Sequence, residues 1–317
     1  MKRSAALISV VIGIVFLFMS GCTNPTQNSG SSATTTATTT TTRASLNAGT
    51  LVKVSGGTFT LQAGGPNMTV STFLMSPNLI TRAQFLNVMG SDPSVTKFSS
   101  GTSDPVQNVN WYMAIAFCNK LSLLEGLTPA YSVATVSNWS TLAFSSIPYL
   151  DNSAWDEATL NPNANGYRLP TEMQYMWAAM GGLSDALKGD LSSGVNILGY
   201  NKGYAGSLEP NGGQTNIGNY AWYASNSANS THPVATKLGN ELGIYDLTGN
   251  VYEWCWDLYG QYPSSSMTDY LGPSTGINRV LRSGSWYDSA SNCSVASRYT
   301  FSPSLQNEDI GFRVVLP

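Results

Sequence analysis

The distribution of helical patterns is the feature that most restricts the fold of this chain. Apolar residues at helical spacing predict a short helix capped by Thr81, a longer one that opens at Asn110, and a third that opens at Thr171. The first would bury the apolar side chains Phe85, Leu86, Val88 and Met89. Beyond Gly182 the sequence indicates loops and short strands rich in Gly, Asn and Trp, without a repeat of fixed period. This order of elements predicts an irregular α+β domain.

The N-terminus carries the pattern of an exported lipoprotein. Two basic residues precede the apolar run Ala5–Met19, which is followed by Ser-Gly and then Cys22. Small residues before a cysteine are typical of lipoprotein cleavage, so residues 1–21 are interpreted as a signal peptide and Cys22 as the lipidated residue. The alternatives are a plain signal peptide or a transmembrane anchor, but the run is shorter than the roughly 20 apolar residues that a bilayer requires. Because Thr23 rather than Asp follows, we expect lipid anchoring in the cell outer membrane, with the protein displayed at the surface.

A flexible stalk is predicted between the anchor and the folded domain. Within residues 22–48, the stretch Ser29–Arg43 consists almost entirely of Ser, Thr, Ala and Gly. Such a segment has too few apolar side chains to offset the conformational entropy lost on ordering. The folded domain is therefore expected to span residues 49–317 and to open with a strand over residues 49–61.

Residue types that carry charge or bind metals argue against several classes of function. The 15 basic residues, less the two in the signal peptide, leave 13 against 18 acidic ones, and no basic face for nucleic acid is visible. The single histidine, His232, lies in a polar loop, so neither a histidine-rich zinc or iron site nor a Ser-His-Asp triad is indicated. Two alternatives stay open for Cys118, Cys255 and Cys293, namely one disulfide or three buried thiols.

A series of short motifs gives the domain a recognisable pattern. In chain order they are Ser55-Gly56-Gly57-Thr58-Phe59, Asp104-Pro105-Val106, Asn110-Trp111-Tyr112, Gly166-Tyr167-Arg168-Leu169-Pro170-Thr171-Glu172, the stretch Gly243–Trp254, Arg282-Ser283-Gly284-Ser285-Trp286 and Gly311-Phe312-Arg313. This set resembles the formylglycine-generating-enzyme (sulfatase-modifying factor) family over residues 50–317. The resemblance implies an irregular C-type-lectin-like fold of that family's type, loop-rich with short strands and a few helices.

The resemblance also shows where the family's catalytic thiols would lie. The family's reaction uses two cysteines five positions apart, which bind copper and exchange a disulfide with the substrate; the matching positions are Asp288 and Cys293. A carboxylate is a hard oxygen ligand that neither holds copper(I) as a thiolate does nor exchanges a disulfide. We therefore predict no catalytic residues, no copper and no zinc. The alternative is an exported enzyme of the same superfamily with an unrecognised reaction.

Calcium is a further property that the resemblance implies. The ligands carried over from the family are the side chains of Asp246 and Glu253 and the carbonyls of Gly249 and Val251. These hard oxygen atoms suit Ca²⁺, although both carboxylates could instead hydrogen-bond a tight turn. A second, weaker site would use Asn216 and Ile217, with less certain partners near Asn226 and Ala228.

The segment of residues 287–309 has the composition of a binding surface. Ser, Tyr, Asn, Asp, Thr and Phe alternate there with scaffold-like residues, and antibody-type binding sites favour Tyr, Ser and Asn. All of these types are reached from an Asn codon by changing its adenines. On this fold the pattern resembles the variable proteins of diversity-generating retroelements, and with the lipoprotein signal those of treponemes; the alternative is a Ser-rich terminal loop. Within a variable segment of about 282–313, the predicted binding residues are Tyr287, Asp288, Ser289, Ser291, Asn292, Ser294, Ser297, Tyr299, Thr300, Phe301, Ser302 and Ser304.

These features favour a surface-displayed, non-catalytic lipoprotein that binds a protein or glycan ligand through a diversified segment. A structural envelope lipoprotein is a further alternative. The membrane would be contacted through the lipid alone, and no nucleic acid is expected as a partner. If the interpretation holds, the side chains of residues 287–309 should be largely exposed and should cluster on one face. The residues buried beneath them should be Trp286, Cys293, Val295, Ala296 and Phe312.

Overall fold

The computed structural model describes residues 43–45, 47–187, 193–209 and 212–317, and its α-helices end at residue 180. They are α1 (Arg82–Met89), α2 (Trp111–Leu124), α3 (Ser153–Asp156) and α4 (Glu172–Met180). Beyond Gly182 the described residues contain 3-10 turns, short strands and loops, which confirms the predicted order of elements.

The described strands form three four-stranded sheets and one two-stranded sheet. The first has the order β1 (Arg43–Ser45), β2 (Gly49–Val54), β5 (Phe73–Met75) and β14 (Val315–Leu316). The second has the order β10 (Met267–Thr268), β4 (Asn67–Val70), β3 (Gly57–Thr60) and β8 (Val195–Asn196). The third has the order β12 (Tyr299–Phe301), β11 (Arg279–Arg282), β9 (Tyr252–Leu258) and β13 (Ile310–Gly311), while β6 (Tyr131–Ser132) pairs with β7 (Thr159–Leu160).

The third sheet positions the predicted variable segment. Its central strand β9 is buried from Tyr252 to Asp257, pairs antiparallel with β11, and pairs in parallel with β13. The edge strand β12 pairs only with β11 and sets Tyr299 opposite Leu281. Residues predicted to bind therefore lie at the edge of a sheet whose centre belongs to the core.

Side-chain caps explain why the three predicted helices begin where they do. Thr81 and Gln84 form a capping box at α1, and Thr171 and Gln174 form one at α4. At α2 the Asn110 side chain accepts a hydrogen bond from the backbone N–H of residue 113 at 2.9 Å. Each of these caps satisfies a backbone donor that the first turn of a helix leaves without a partner.

The prediction that Leu86 of α1 lies in the core is wrong. Phe85, Val88 and Met89 are buried, whereas Leu86 is 46% exposed. Residue 86 lies about 100° around the helix from residue 85, and so points away from the face that packs on the core. Apolar type alone did not separate the two faces.

Helix α2 lies inside the main hydrophobic core. Eleven of its 14 residues are buried, as expected for a helix that is enclosed on all sides rather than packed on one face. Its Phe117 ring lies 5.5 Å from Phe85 and 5.2 Å from Phe312, measured between centroids. The core thus joins α1, α2 and the C-terminal Gly-Phe-Arg motif.

The boundaries near the stalk and the first strand differ from the prediction. Strand β1 pairs with β2 and lies inside residues 22–48, so the folded domain extends to Arg43 rather than beginning at residue 49. The strand predicted over residues 49–61 is divided into β2 and β3. Gly56 lies between the two strands. A Cβ atom at this position would lie 2.6 Å from the carbonyl oxygen of Val70, so the close approach of the two backbones requires glycine.

The predicted signal peptide and Cys22 lie outside the described residues. In the part of the chain that the structure describes, no helix has the length and apolar character needed to cross a membrane.

Candidate binding surface on residues 287–304

The variable segment begins where β11 ends in a tight turn. Ser283 and Gly284 have positive φ angles of 86° and 78°, and a Cβ at residue 284 would lie 2.7 Å from the sulfur of Cys293. Trp286 follows and is buried, with its ring centroid 5.4 Å from that of Phe98. Its indole N–H donates to the carbonyl of Glu308 at 3.2 Å. The turn and the tryptophan therefore fix where the segment leaves the core.

None of the twelve predicted binding residues is buried, but only five are exposed, so the prediction that these side chains are largely exposed is confirmed in part. Tyr287 is 69% exposed and Phe301 is 40% exposed, and both are among the large apolar side chains on the surface. The exposed members of the set are Tyr287, Ser289, Ser291, Asn292 and Phe301. The half-buried members are Asp288, Ser294, Ser297, Tyr299, Thr300, Ser302 and Ser304.

The residues predicted to lie beneath this surface are buried with one exception. Trp286, Cys293, Val295 and Phe312 are at most 5% exposed. Ala296 is exposed, so its placement in the core was wrong. Val295 and Ala296 lie together in a tight turn, which the hydrogen bond from the Ser297 backbone N–H to the Ser294 carbonyl closes at 3.0 Å. Within that turn only Val295 faces the core.

The main chain of the segment is held by groups outside the predicted set. Backbone N–H groups of Ala224, Trp111 and Asn108 donate to carbonyls of the segment at 2.8–3.0 Å. The Arg282 guanidinium donates to the carbonyls of residues 295 and 297 at 3.2 and 2.7 Å, and the Gln214 amide donates to that of residue 290 at 2.7 Å. These contacts use carbonyl oxygens, which are present whatever side chain the segment carries.

Several predicted binding residues also form hydrogen bonds through their side chains, and Asp288 and Tyr299 are two of them. The Asp288 carboxylate accepts hydrogen bonds from the backbone N–H and the hydroxyl of Ser285 at 3.0 and 2.5 Å. The Tyr299 hydroxyl donates to the carbonyl of Asn292 at 3.1 Å, and its ring lies 4.7 Å from that of Tyr252 in an edge-to-face contact. Asp288 and Tyr299 are therefore less free to change than Tyr287 or Phe301.

Asp309 lies beside Asp288 and forms an acidic pair with it. The Ser285 hydroxyl contacts both carboxylates, at 2.5 Å for Asp288 and 3.3 Å for Asp309. Burial, and then the negative charge of Asp288, raise the pKa of Asp309 to about 6. The same two causes raise the pKa of the neighbouring Tyr252 phenol. The surface therefore combines aromatic side chains with concentrated negative charge.

A loop far away in sequence adjoins the segment and was not predicted. Asp151 accepts hydrogen bonds from the hydroxyls of Ser302, at 2.9 Å, and Ser304, and these bonds lower its pKa. The two residues before it, Tyr149 and Leu150, are 70% and 67% exposed. No motif marks this loop, because its relevance comes from a contact across about 150 positions of sequence. It adds fixed apolar area beside the variable residues.

A charged network supports the segment from beneath. Glu172, at the start of α4, accepts from the Arg298 guanidinium at 2.6 and 2.8 Å and pairs with Arg282 at 2.8 Å. The Arg298 guanidinium also lies 4.3 Å from the ring centroids of Tyr259 and Tyr262. These contacts give the scaffold-like Arg298 a structural role and account for the glutamate of the Arg-Leu-Pro-Thr-Glu motif.

The described cysteines are separate buried thiols. Cys118, Cys255 and Cys293 are all free and fully buried, so one of the two open alternatives is confirmed. Burial raises the pKa of Cys293 to about 12. The thiolate is the nucleophile and the metal ligand in cysteine chemistry, and this environment strongly disfavours it.

The residues carried over as calcium ligands are already used within the protein. Both Glu253 oxygens accept from the Arg313 guanidinium, at 2.6 and 3.0 Å, and Tyr175 donates to one of them at 3.0 Å. The Asp246 carboxylate accepts from the backbone N–H of Ala235 at 2.8 Å, and the Gly249 carbonyl accepts a hydroxyl at 3.0 Å. Burial raises the pKa of both carboxyl groups. Ca²⁺ takes six to eight oxygen ligands, and this hydrogen-bonded arrangement does not fit it.

The weaker calcium site has a similar arrangement. Asn216 donates its backbone and side-chain N–H groups to Glu209, at 3.2 and 3.4 Å. The Asn226 amide bridges Tyr223 and Ala221, at 2.9 Å each, and Ala228 has a positive φ of 52°. The described residues contain no group of three or more His, Cys, Asp or Glu side chains that could hold a metal ion.

Together, the few helices, the short strands and the buried motifs define a C-type-lectin-like domain of the sulfatase-modifying factor type. Residues 36–317 match the sulfatase-modifying factor enzyme 1-like domain. The chaperone protein LppX of Paenibacillus barcinonensis is 33% identical over 280 residues, which are 84% of this chain and 88% of that protein. The chain therefore belongs to the sulfatase-modifying factor family.

Two further relatives represent different branches of this family. The formylglycine-generating enzyme of Streptomyces coelicolor is 34% identical over 170 residues, half of each protein. The structure of Treponema denticola variable protein 1 matches with a TM-score of 0.74 and 36% identity, over 84% of this chain and 94% of that one. The resemblance to treponemal variable proteins that the sequence indicated is confirmed at the level of fold and sequence.

Proposed function

We propose that this protein is a lipid-anchored, non-catalytic binding protein whose ligand contacts the surface of residues 287–304. The observation that carries the proposal is the difference between the main chain of the segment, which is held in place, and its exposed side chains. Its main chain is fixed through carbonyl groups, and Trp286, Cys293 and Phe312 are buried beneath it, whereas Tyr287 and Phe301 are free at the surface. Such a segment can accept different side chains while its main chain keeps the same conformation.

The proposal excludes the oxidation of a substrate cysteine to formylglycine. Asp288 stands at the position of one thiol of the family's pair, and its carboxylate is held by Ser285. The remaining thiol, Cys293, is buried, and its raised pKa keeps it protonated near neutral pH. A pair of reactive thiolates is therefore missing both in residue type and in environment.

The ligand we propose is a protein or glycan presented outside the cell. Exposed tyrosine and phenylalanine supply large contact areas at low entropic cost, and serine and asparagine supply adaptable hydrogen bonds. The fixed side chains of Tyr149 and Leu150 extend the contact area next to Ser302 and Ser304. Cys22 would carry the lipid, and the Ser/Thr-rich stalk would hold the surface away from the outer membrane.

The proposal also includes diversification of the segment. Similarity to Treponema denticola variable protein 1 supports it, together with residue types that are reached from Asn codons by adenine changes. The expected genomic context is a reverse transcriptase gene beside a near-copy of the DNA for residues 282–313, differing at adenines. A locus without that copy would argue for a fixed binding site.

A pair of display libraries tests the binding surface directly. One library randomises the five exposed positions Tyr287, Ser289, Ser291, Asn292 and Phe301, and the control library randomises the buried positions Trp286, Cys293, Val295, Ile310 and Phe312. We expect most members of the first library to resist protease as well as the parent does. Selection on a panel of unrelated proteins and glycans should then yield binders. Equal loss of folding in both libraries, or folded members without a single binder, would contradict the proposal.

A further inference from the structure

A cleft separate from the variable segment lies beside the N-terminal end of α4. Its volume is about 280 Å³, and none of its lining residues belongs to residues 282–313. Its apolar walls include Val70, Leu160, Ala164 and Leu271. Ligand pockets are typically apolar, with a small number of placed polar groups, and this volume is just below their usual range of about 300–1,000 Å³.

The polar feature of this cleft is the half-buried guanidinium of Arg168. One of its terminal nitrogens, Nη1, donates to the Gln174 side chain at 2.7 Å and to the carbonyl of Leu169 at 3.5 Å. Its Nε and Nη2 atoms have no hydrogen-bond partner in the described chain, and neither is sealed off from open space. The donors without a partner thus belong to a side chain that lines the cleft.

The charge of Arg168 is compensated only in part, by the more distant carboxylates of Asp269 and Asp257. Among the described residues no carboxylate lies within 4.0 Å of it, whereas Arg82, Arg282, Arg298 and Arg313 each have such a partner. Burial lowers the pKa of Arg168, which reflects the cost of keeping the cation there. An anion in the cleft would compensate the charge and satisfy the free N–H groups together.

The remaining lining residues indicate which anion would fit. Asp269 is the one acidic side chain among them, and both of its oxygens accept hydrogen bonds from Ser71, at 2.7 and 2.6 Å. Because Asp269 already offsets part of the charge of Arg168, the cleft suits at most one further negative charge, and a phosphate dianion is disfavoured. The apolar walls suit a hydrocarbon group of roughly ten non-hydrogen atoms or fewer.

We infer that this cleft binds a small monocarboxylate, with the carboxylate on Nε and Nη2 of Arg168 and the apolar group against Leu160 and Leu271. The site is independent of the proposed binding surface, since the two share no residue.

The inference is tested by calorimetric titration of the full-length protein with hexanoate and benzoate, with hexanol and benzamide as uncharged controls. We expect saturable binding of at least one acid, and binding of the neutral compounds weaker by a factor of ten or more. The substitution Arg168→Gln should weaken binding of the acid by the same factor. Equal affinity for acid and neutral compound, or no heat from either acid at millimolar concentration, would overturn the inference.

A second variant covers the case in which Arg168→Gln does not fold. Leu271 is 45% exposed, so Leu271→Trp should fold, fill the cleft and abolish binding. Ile277→Trp is the matched control, because Ile277 is 85% exposed and does not line the cleft. Acid binding that survives Leu271→Trp would place the ligand elsewhere and overturn the inference.

Discussion

Two adjacent aromatic residues give the sharpest test of the division between scaffold and surface. Trp286 is 3% exposed and stacks on Phe98, whereas Tyr287 is 69% exposed. Truncating a buried tryptophan to alanine costs about 3–5 kcal/mol through lost contacts and the cavity left behind. A surface change away from caps and charge pairs stays within about 0.5 kcal/mol. Trp286→Ala should therefore destabilise the fold by several kcal/mol, and Tyr287→Ala should leave it nearly unchanged.

Equilibrium urea unfolding of the two variants and the parent measures this difference. With a urea dependence of about 3 kcal/mol per molar, a loss of 3–5 kcal/mol lowers the midpoint by about 1–1.7 M. The Tyr287→Ala midpoint should move by less than about 0.2 M on the same scale. If the two variants lose similar stability, or if Trp286→Ala loses none, residues 286 and 287 do not divide into scaffold and surface.

Four further predictions concern the anchor, catalysis, calcium and pH. Cys22→Ser should abolish fatty-acid labelling and release the protein from the membrane fraction; retained label would contradict the anchor. A sulfatase-motif cysteine peptide should show no formylglycine by mass spectrometry, with or without copper, and turnover would refute the role given to Asp288. A chelator should leave the melting temperature unchanged, whereas a drop that Glu253→Ala removes would establish calcium binding. Burial, and then the charge of Glu172, raise the pKa of Asp257 to about 8, so the folded state binds more protons than the unfolded state between about pH 4 and 8. The free energy of unfolding, measured with urea, should therefore fall as pH rises through that window, and Asp257→Asn should reduce its dependence on pH. The same pH dependence in both proteins would argue against a raised pKa at Asp257.

Local signals were sufficient to predict three of the four described α-helices, and the one-turn helix α3 was missed. Thr81, Asn110 and Thr171 act as caps within a few residues of the backbone groups they satisfy, so the sequence alone contains the interaction. The exposure of Leu86 and the pairing of β1 with β2 depend on what packs against them. That information is not local, which is why both were missed.

The position of residues 287–304 outside the core could be predicted for a different reason. Its residue types are unusual for a core and typical of binding surfaces, and that signal does not depend on distant contacts. The loop that carries Tyr149 and Asp151, and the pairing of Asp309 with Asp288, arise only when the chain folds. The carried-over calcium ligands show the opposite limit, because a matching residue type at Glu253 does not reveal that Arg313 already occupies both of its oxygens.

The contacts of the segment also indicate which of its side chains can change without loss of structure. Carbonyl groups anchor the chain near residues 288, 290, 295, 297 and 303, so most side chains between them can change without loss of an anchor. Asp288 and Tyr299 are exceptions, since their side chains bond to Ser285 and to the carbonyl of Asn292. Ser302 and Ser304 are exceptions as well, since their hydroxyls donate to Asp151. Tolerance to substitution should therefore be graded, highest at Tyr287 and Phe301 and lowest at Asp288 and Tyr299. Deep sequencing of a folded single-site library should show that order. Equal tolerance at Asp288 and Tyr287 would mean that the hydrogen bonds to Ser285 do not hold the turn.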